Sequence, residues 1–432
     1  MKETSIIILA AGLGTRMKSK TPKVMFEICG VSMISHILNK AYKITDDVCV
    51  VLYHQKDMIQ EHILKNYPNT KIHIQDFENF PGTAGALIGA ISKTKKTIIL
   101  CGDMPLITQN ELENLAKSDL DLTISSFNTE NPFGYGRIIS ENNQVLSIVE
   151  EKDASENEKK IKSVNAGCYA FKTDALEKIL PLIKNNNAQN EYYLTDAVKI
   201  ANKLRLKCGI MEVKEQNFMG INDKFQLSIA EKIMQDEIKK DLMKSGVLMR
   251  MPNTTYIDCR AKFEGECVIE ENVSIIGECL IKNSIVKSSS VIEYSEIQNS
   301  SVGPLARIRP KSKIKNTRIG NFVETKNANL DGVKAGHLSY LGDCEAQEGT
   351  NIGCGFITCN YDGKNKYQTK IGKNVFVGSD TQVIAPVTIQ DDVMIAAGST
   401  ITKDIPSGAL AVSRTKQINK DGFFYKFFKE EK

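Results

Sequence analysis

At 432 residues the chain is long enough for more than one domain, each with its own core. Its 41% hydrophobic and 25% charged residues are ordinary for a soluble globular protein, and a net charge of +4, from 56 basic against 52 acidic residues, argues against nucleic acid or a membrane as the main partner. No run approaches the ~18 consecutive apolar residues of a membrane span, and the 11 cysteines are scattered without a CxxC pair, which predicts reduced thiols in a cytoplasmic protein, with neither disulfides nor a structural zinc site. The first apolar run, Ile6–Leu9, is too short for the core of a signal peptide and leads into a glycine-rich loop, so it reads as a buried strand. A helix is predicted over Ser32–Tyr42, a strand over Val48–Leu52, a helix over Thr83–Ile91, a strand over Ile98–Leu100, a helix over Asn110–Lys117 and a strand over Leu122–Ser125. This alternation predicts an α/β unit over residues 1–222, with a Rossmann-like, mainly parallel sheet covered on both faces and ligands beyond the carboxyl ends of the strands.

Residues 223–247 change character. Leu227, Ala230, Ile233, Met234 and Ile238 recur at helical spacing and Gly246 is a stop signal, so this stretch reads as a helical connector. Beyond it, over 248–432, the period becomes six. Ile257, Phe263, Ile269, Ile275 and Ile281 are six apart, as are Ile371, Val377, Val383, Ile389, Ile395 and Ile401, with Val302, Ile308 and Ile314 keeping the stride between them. Neither a helix nor a flat strand has this period; a three-sided solenoid of hexapeptide repeats does. The stride breaks between Ile319 and Ile371, an interval holding the turn signal Asn360-Tyr361-Asp362-Gly363.

Two places carry the residue types of chemistry. Leu9-Ala10-Ala11-Gly12-Leu13-Gly14-Thr15-Arg16 follows the first strand, and small residues there let backbone N–H groups approach a phosphate, with Arg16 and Lys23 adding positive charge. The loop is neither a Walker A sequence nor a complete dinucleotide fingerprint. Asp103, just past the strand Ile98–Leu100, is placed to hold Mg²⁺, although a lone Asp at a strand end is more often a cap. In the solenoid the only histidine of five is His337. It lies in the irregular interval, and Cys344, Cys354 and Cys359 make no ligand set with it, so general base is the better functional reading.

Taken together, Leu9–Met17 with Thr21-Pro22-Lys23, Gly82-Thr83-Ala84 and Gly102-Asp103 resemble the sugar-1-phosphate nucleotidyltransferases. Gly134–Ile138, Val149–Ala154, Asn165-Ala166-Gly167, Glu191–Asp196 and Gly220–Asp223 narrow the resemblance, and Gly303–Pro310, Gly320–Lys326, Lys334–Asp343, Asn351–Gly353, Thr358–Gly363 and Val377–Thr381 extend it. The chain is thereby similar, from Ile6 to about Thr415, to the bifunctional N-acetylglucosamine-1-phosphate uridyltransferases/glucosamine-1-phosphate acetyltransferases. That resemblance implies a uridyltransferase domain over 1–222, a helical linker over 223–247 and a left-handed parallel β-helix acetyltransferase domain over 248–432. It implies synthesis of UDP-N-acetylglucosamine, upstream of peptidoglycan and lipopolysaccharide.

The resemblance also implies roles for individual residues. Leu9, Ala10, Ala11, Gly12, Gln75, Gly82 and Thr83 would hold the nucleoside of UTP, Arg16 and Lys23 its phosphates, and Asp103 and Asn222 a Mg²⁺ ion. Gly136, Glu150 and Asn165 would hold N-acetylglucosamine-1-phosphate. Three positions depart from the pattern: Gln75 lies about two residues too far upstream, Gly85 stands where His is frequent, and Cys101 where Tyr is common. In the second half His337 would deprotonate the amine of glucosamine-1-phosphate for attack on acetyl-coenzyme A, oriented by Glu324. Arg309, Lys326, Tyr340 and Asn351 would hold the sugar phosphate. Cys354, Asn360, Tyr361, Ser379, Ala397 and Arg414 would line the coenzyme site. A homotrimer with sites between subunits is implied as well. The competing readings are a monofunctional nucleotidyltransferase with a β-helix used for assembly, against which His337, Lys326 and Arg309 argue, and a regulatory subunit, against which Lys23, Asp103 and Asn222 argue. The aromatic tail from Lys420 departs from the family and reads as packing.

Overall fold

The computed structural model describes residues 2–141 and 144–428 and divides into two compact units, Met1–Met234 and Gln235–Lys432. In the first, strands β1 (Lys2–Leu9), β2 (Val48–Leu52), β3 (Lys71–Ile74), β4 (Thr94–Cys101), β5 (Leu122–Asn128), β6 (Arg137–Glu141), β7 (Gln144–Val149), β8 (Ser163–Lys172) and β9 (Cys208–Glu212) form one sheet. Its order is β9-β5-β8-β4-β1-β2-β3, with β6 and β7 as a hairpin off β8. All pairs along the main path are parallel except those of β8 with β4 and β5. Alternation on the central strands feeds two cores. Ile6, Ile8, Val48, Val50 and Ile98 pack with helices α1 (Met33–Ala41), α2 (Lys56–Asn66) and α3 (Gln109–Lys117). Ile7, Val51 and Ile99 pack on the other face with α4 (Thr173–Ile179) and α5 (Asp196–Lys203). Two of the helix starts carry side-chain caps: Ser32 Oγ accepts from Ser35 N at α1, and Thr108 and Glu111 form a capping box at α3.

The helix expected over Thr83–Ile91 is a correction. Only one 3-10 turn, Gly85–Leu87, forms there. Gly82 and Gly89 hold φ of 96° and 84°, outside the helical region, and Thr83 Oγ1 accepts from the Leu194 N–H rather than capping a helix. The helix read over the connector is present as α6 (Lys224–Lys244), and it runs across the boundary of the two units.

In the second unit, strands of two to four residues stack in three parallel sheets, as in a left-handed β-helix of hexapeptide repeats. Inward residues pair in register coil over coil: Ile257 with Ile275 and then Ile292, Phe263 with Ile281 and then Ile297. The stride break expected from Ile319 is also a correction, because the ladder continues through Thr325, Leu330, Ala335, Leu341, Ala346, Ile352 and Thr358. Two things hide it from a search for aliphatics six apart. Corners drop a residue, so that Ile319 stacks sixteen residues before Ala335 where Ile371 stacks eighteen before Ile389, and Thr or Ala takes inward places. The real interruption is shorter: only the chain between Cys359 and Thr369 leaves the coil as a loop, since Thr369–Ile371 and Phe376–Val377 resume the ladder before Val383 stacks on Thr358. Asn residues at left-handed corners form ladders, with the Asn283 amide donating to Asn299 and that of Asn299 to Asn316, 3.3 Å each.

Candidate active sites

The first site opens where β1, β2, β3 and β4 end. A cavity of about 670 Å³ is lined by Leu9, Ala10, Ala11, Gly12, Arg16, Lys23, Gln75, Gly82, Thr83 and Asp103. The strand ends set this floor: Gly102 N donates to Leu9 O and Ala10 N to Val51 O, 2.8 and 2.9 Å. Gly14 turns the loop at φ 61°, and a Cβ there would stand 3.0 Å from Lys23 Cβ, so the loop lies directly on the lysine. Arg16 is exposed at the mouth. Lys23 Nζ donates to Asp103 Oδ2 at 2.5 Å and to Asn222 Oδ1 at 3.2 Å. Two oxygens from distant segments thus converge on one cationic atom. That donor set, one carboxylate and one amide, fits a hard divalent ion that keeps most of its coordination for water and phosphate. Among the described residues no group of three or more His, Cys, Asp or Glu could hold a metal instead.

Gln75 reaches the cavity despite its displaced position. Its amide donates to the Phe80 and Gly82 carbonyls, 3.0 and 3.1 Å, and so fastens the loop between them. The same loop explains Gly85: a Cβ there would fall 2.1 Å from the Phe80 carbonyl oxygen, so no side chain fits. Cys101 turns its thiol to the Gly167 carbonyl, 3.4 Å away, and burial pushes it well above the usual thiol range.

Glu150, Gly136 and Asn165 are gathered by β6, β7 and β8. Asn165 N donates to Gly136 O at 2.8 Å, and a Cβ on Gly136 would meet Ile148 at 2.9 Å and the Glu150 carboxylate at 3.5 Å. Burial raises the Glu150 carboxyl, partly offset by the Thr195 hydroxyl donating to it at 3.0 Å. Asn165 donates to the Tyr169 hydroxyl at 2.7 Å. The cavity also includes His54, Gln55, Phe77, Lys152, Gln189 and Glu191, none of which stood out in the sequence. Their motifs did: Lys152 and Glu191 sit in the quoted runs, whereas Phe77 had no signal beyond lying between Gln75 and Gly82.

In the solenoid, register assembles the second set. Arg307, Glu324, Tyr340 and Ile357 are neighbours on successive coils of one sheet, and Lys326 lies beside Gly342. A Cβ on Gly342 would stand 2.4 Å from the Tyr340 hydroxyl, so the tyrosine ring lies directly over this glycine. Arg309 Nη1 donates to Glu324 Oε1 at 2.7 Å. Among the described residues Glu324 has no hydrogen bond to His337. Lys366, absent from the sequence reading, belongs to this cluster. The neighbouring Lys366, a second donor and a like charge that Lys326 cannot pair with, lowers the Lys326 ammonium below the usual lysine range, and Arg309 adds to it. Lys366 arrives by its bridge to Tyr361 in the extruded loop. Asn360 anchors that loop by donating to Asp343, which also accepts from Asn327.

His337 is exposed and ends a strand beside Asn321. The next residue, Leu338, is a left-handed corner whose carbonyl accepts from Gly355 N. Asp380 N donates to Cys354 O, Gly398 N to Ser379 O, and Arg414 Nη1 to Ala397 O at 2.7 Å. His337, Cys354, Ser379 and Ala397 therefore stand in one corner column on successive coils, with Arg414 at its far end. Asn351 lies in register between Lys334 and Phe376 on an adjoining face.

Comparison with known proteins agrees with both halves. The nucleotidyl transferase family model matches residues 5–211, and the bacterial transferase hexapeptide model, of six repeats, matches 368–403. "Bifunctional protein GlmU" of Campylobacter curvus is 68% identical over 99% of this chain and 98% of its own length. The proteins of the same name from Campylobacter concisus and Campylobacter hominis are 68% and 64% identical, over 98% and 100% of both chains. Matched at this identity from end to end, the chain belongs to the GlmU family of bifunctional proteins.

Proposed function

We propose that the chain makes UDP-N-acetylglucosamine in two steps at two separate sites. Acetyl transfer from acetyl-coenzyme A to glucosamine-1-phosphate occurs in the β-helix, and uridylyl transfer from UTP to N-acetylglucosamine-1-phosphate, with release of pyrophosphate, in the α/β unit. The observation that carries this reading is that each unit holds its own cation-lined site, the second with a histidine at the head of a column of small residues.

In the first site both reactants are anions, so the protein's work is alignment and neutralisation. Lys23 and Arg16 bind phosphate oxygens, backbone from Leu9 to Gly12 with Gln75, Gly82 and Thr83 holds the nucleoside, and Glu150, Gly136 and Asn165 hold the sugar. Asp103 and Asn222 hold Mg²⁺, which when bound neutralises charge on the phosphates. In the second site Arg309, Lys326 and Lys366 clamp the sugar phosphate beside Tyr340 and Asn351. His337 accepts a proton from the sugar amine as it attacks the thioester, and Glu324 moves from Arg309 to the histidine as the phosphate takes over the guanidinium. The column Cys354, Ser379 and Ala397, with Arg414, Asn360 and Tyr361, leaves room for coenzyme A.

A homotrimer in the cytoplasm completes the reading. Leu305, Phe322 and Leu338 occupy the same left-handed corner on three successive coils, 45%, 54% and 58% exposed. A left-handed non-glycine residue costs roughly 1–2 kcal/mol, and an exposed apolar ladder built that way suits contact with further copies of the chain. Among the described residues no helix is long and apolar enough to cross a membrane.

The test incubates the purified protein with glucosamine-1-phosphate, acetyl-coenzyme A, UTP and Mg²⁺ and follows free thiol and pyrophosphate separately. Both are expected, with thiol release persisting without UTP. Pyrophosphate only from ready-made N-acetylglucosamine-1-phosphate would reduce the β-helix to a scaffold.

A further inference from the structure

Tyr53 and Gln75 directly follow two neighbouring parallel strands, β2 and β3, whose last residues Leu52 and Ile74 are register partners. Both therefore emerge at the ligand edge of the sheet. Phe77, two residues on, stacks on Tyr53 with ring centroids 4.7 Å apart and planes 17° from parallel. It is half-buried and lines the 670 Å³ cavity beside Gln75.

The loop that carries it is held at several points. Gln75 N donates to Leu52 O at 2.9 Å, Phe80 N to Asp76 O at 2.9 Å, and Asn79 Nδ2 to Asp76 Oδ2 at 2.8 Å. Tyr192 N donates to Pro81 O, and the Phe80 ring lies against Tyr192 at 5.8 Å. The ring of Phe77 is thus backed by a second ring and set on a fastened loop. The same cavity wall carries the amide side chains of Gln55 and Gln75. A fixed aromatic face with amides beside it is complementary to a planar heteroaromatic ring with its own donors and acceptors.

We infer that Phe77, backed by Tyr53, is a nucleotide-binding residue of the nucleotidyl-transfer site that packs against the nucleobase of the bound nucleotide. The inference rests on the uridylyl-transfer reading above and adds a residue to it. Stacking is lost with the ring whichever substrate brings the base, so the effect falls on both UTP and UDP-N-acetylglucosamine.

Steady-state kinetics of the full-length protein in both directions test it. Phe77→Ala is expected to raise KM for UTP and for UDP-N-acetylglucosamine about ten-fold, the size typical of one stacked base. kcat and the KM values for N-acetylglucosamine-1-phosphate and pyrophosphate should stay within about two-fold. Phe77→Tyr restores the parent values, and Phe77→Leu, which keeps bulk but not the plane, falls between. An unchanged kcat for uridylyl transfer, with far-ultraviolet circular dichroism and melting temperature matching the parent protein, shows that the variants are folded. Unchanged KM for both nucleotides in Phe77→Ala, or a loss confined to kcat, overturns the inference. If the parent protein itself releases no pyrophosphate, the uridylyl reading fails and this inference falls with it.

Discussion

Lys23 and Asp103, eighty residues apart in sequence, meet as a 2.5 Å ion pair with Asn222 Oδ1 on the same ammonium. The site therefore keeps a cation between its two oxygen donors and places the lysine where it can pass to a phosphate. Asp103→Ala is expected to lower pyrophosphate release by roughly 10²-fold or more and leave thiol release intact. His337→Ala should do the reverse, with a loss of about 10²–10⁴-fold in acetyl transfer. Measuring both activities on both variants decides it. Loss of both activities in His337→Ala would contradict two independent sites.

Glu150 predicts a pH effect of definite sign. Burial raises its carboxyl above the ordinary value of 4.5, so the folded chain binds a proton that the unfolded chain releases at lower pH. Stability from this group is greatest in acid and falls as pH rises from the unfolded value through the raised folded one. Glu150→Gln removes that cost. The variant should melt at a higher temperature than the parent at neutral pH, with the difference vanishing below about pH 4. It should also bind N-acetylglucosamine-1-phosphate more weakly. Melting curves across pH would refute this by showing a constant offset.

The lowered ammonium of Lys326 marks three like charges brought close together, the set proposed to hold the sugar phosphate. Lys366→Ala should raise KM for glucosamine-1-phosphate about ten-fold, with kcat less affected, because the lost partner is a binding charge exposed to solvent. KM for acetyl-coenzyme A should hold. An unchanged sugar-phosphate KM would place Lys366 outside the site.

Phe322 tests assembly. Phe322→Asp puts a charge in the middle of the apolar corner ladder and is expected to shift the mass in solution from about three chains to one, with acetyl transfer falling together with the mass. Light scattering beside a thiol assay reads both. A monomeric parent protein would remove the reason for the exposed ladder.

Much of this protein was legible in its residues. Four-residue apolar strands before glycine-rich turns, and aliphatics at a stride of six, report local backbone geometry, which depends on near neighbours in the chain. The Leu9–Arg16 loop and Lys23 stand out by residue type and immediate setting, whereas Asp103, which alone reads as a cap, and the roles around His337 are expected from the family resemblance. The rest was set by contacts between distant segments. The helix expected over Thr83–Ile91 lost to glycines at positive φ and to the Phe80 carbonyl, which occupies the place of a side chain at Gly85. The solenoid ran on through an interval where the stride fails, because stacking in register tolerates shorter corners and inward Thr or Ala. Lys366 joined Lys326, and Phe77 joined the cavity at the strand ends, through loops whose paths follow from hydrogen bonds with Asp343, Leu52 and Tyr192. Periodicity and residue type determine which elements and which chemistry the chain carries; which side chains share a site is decided by tertiary packing, since only there do residues far apart in sequence come within reach of one another.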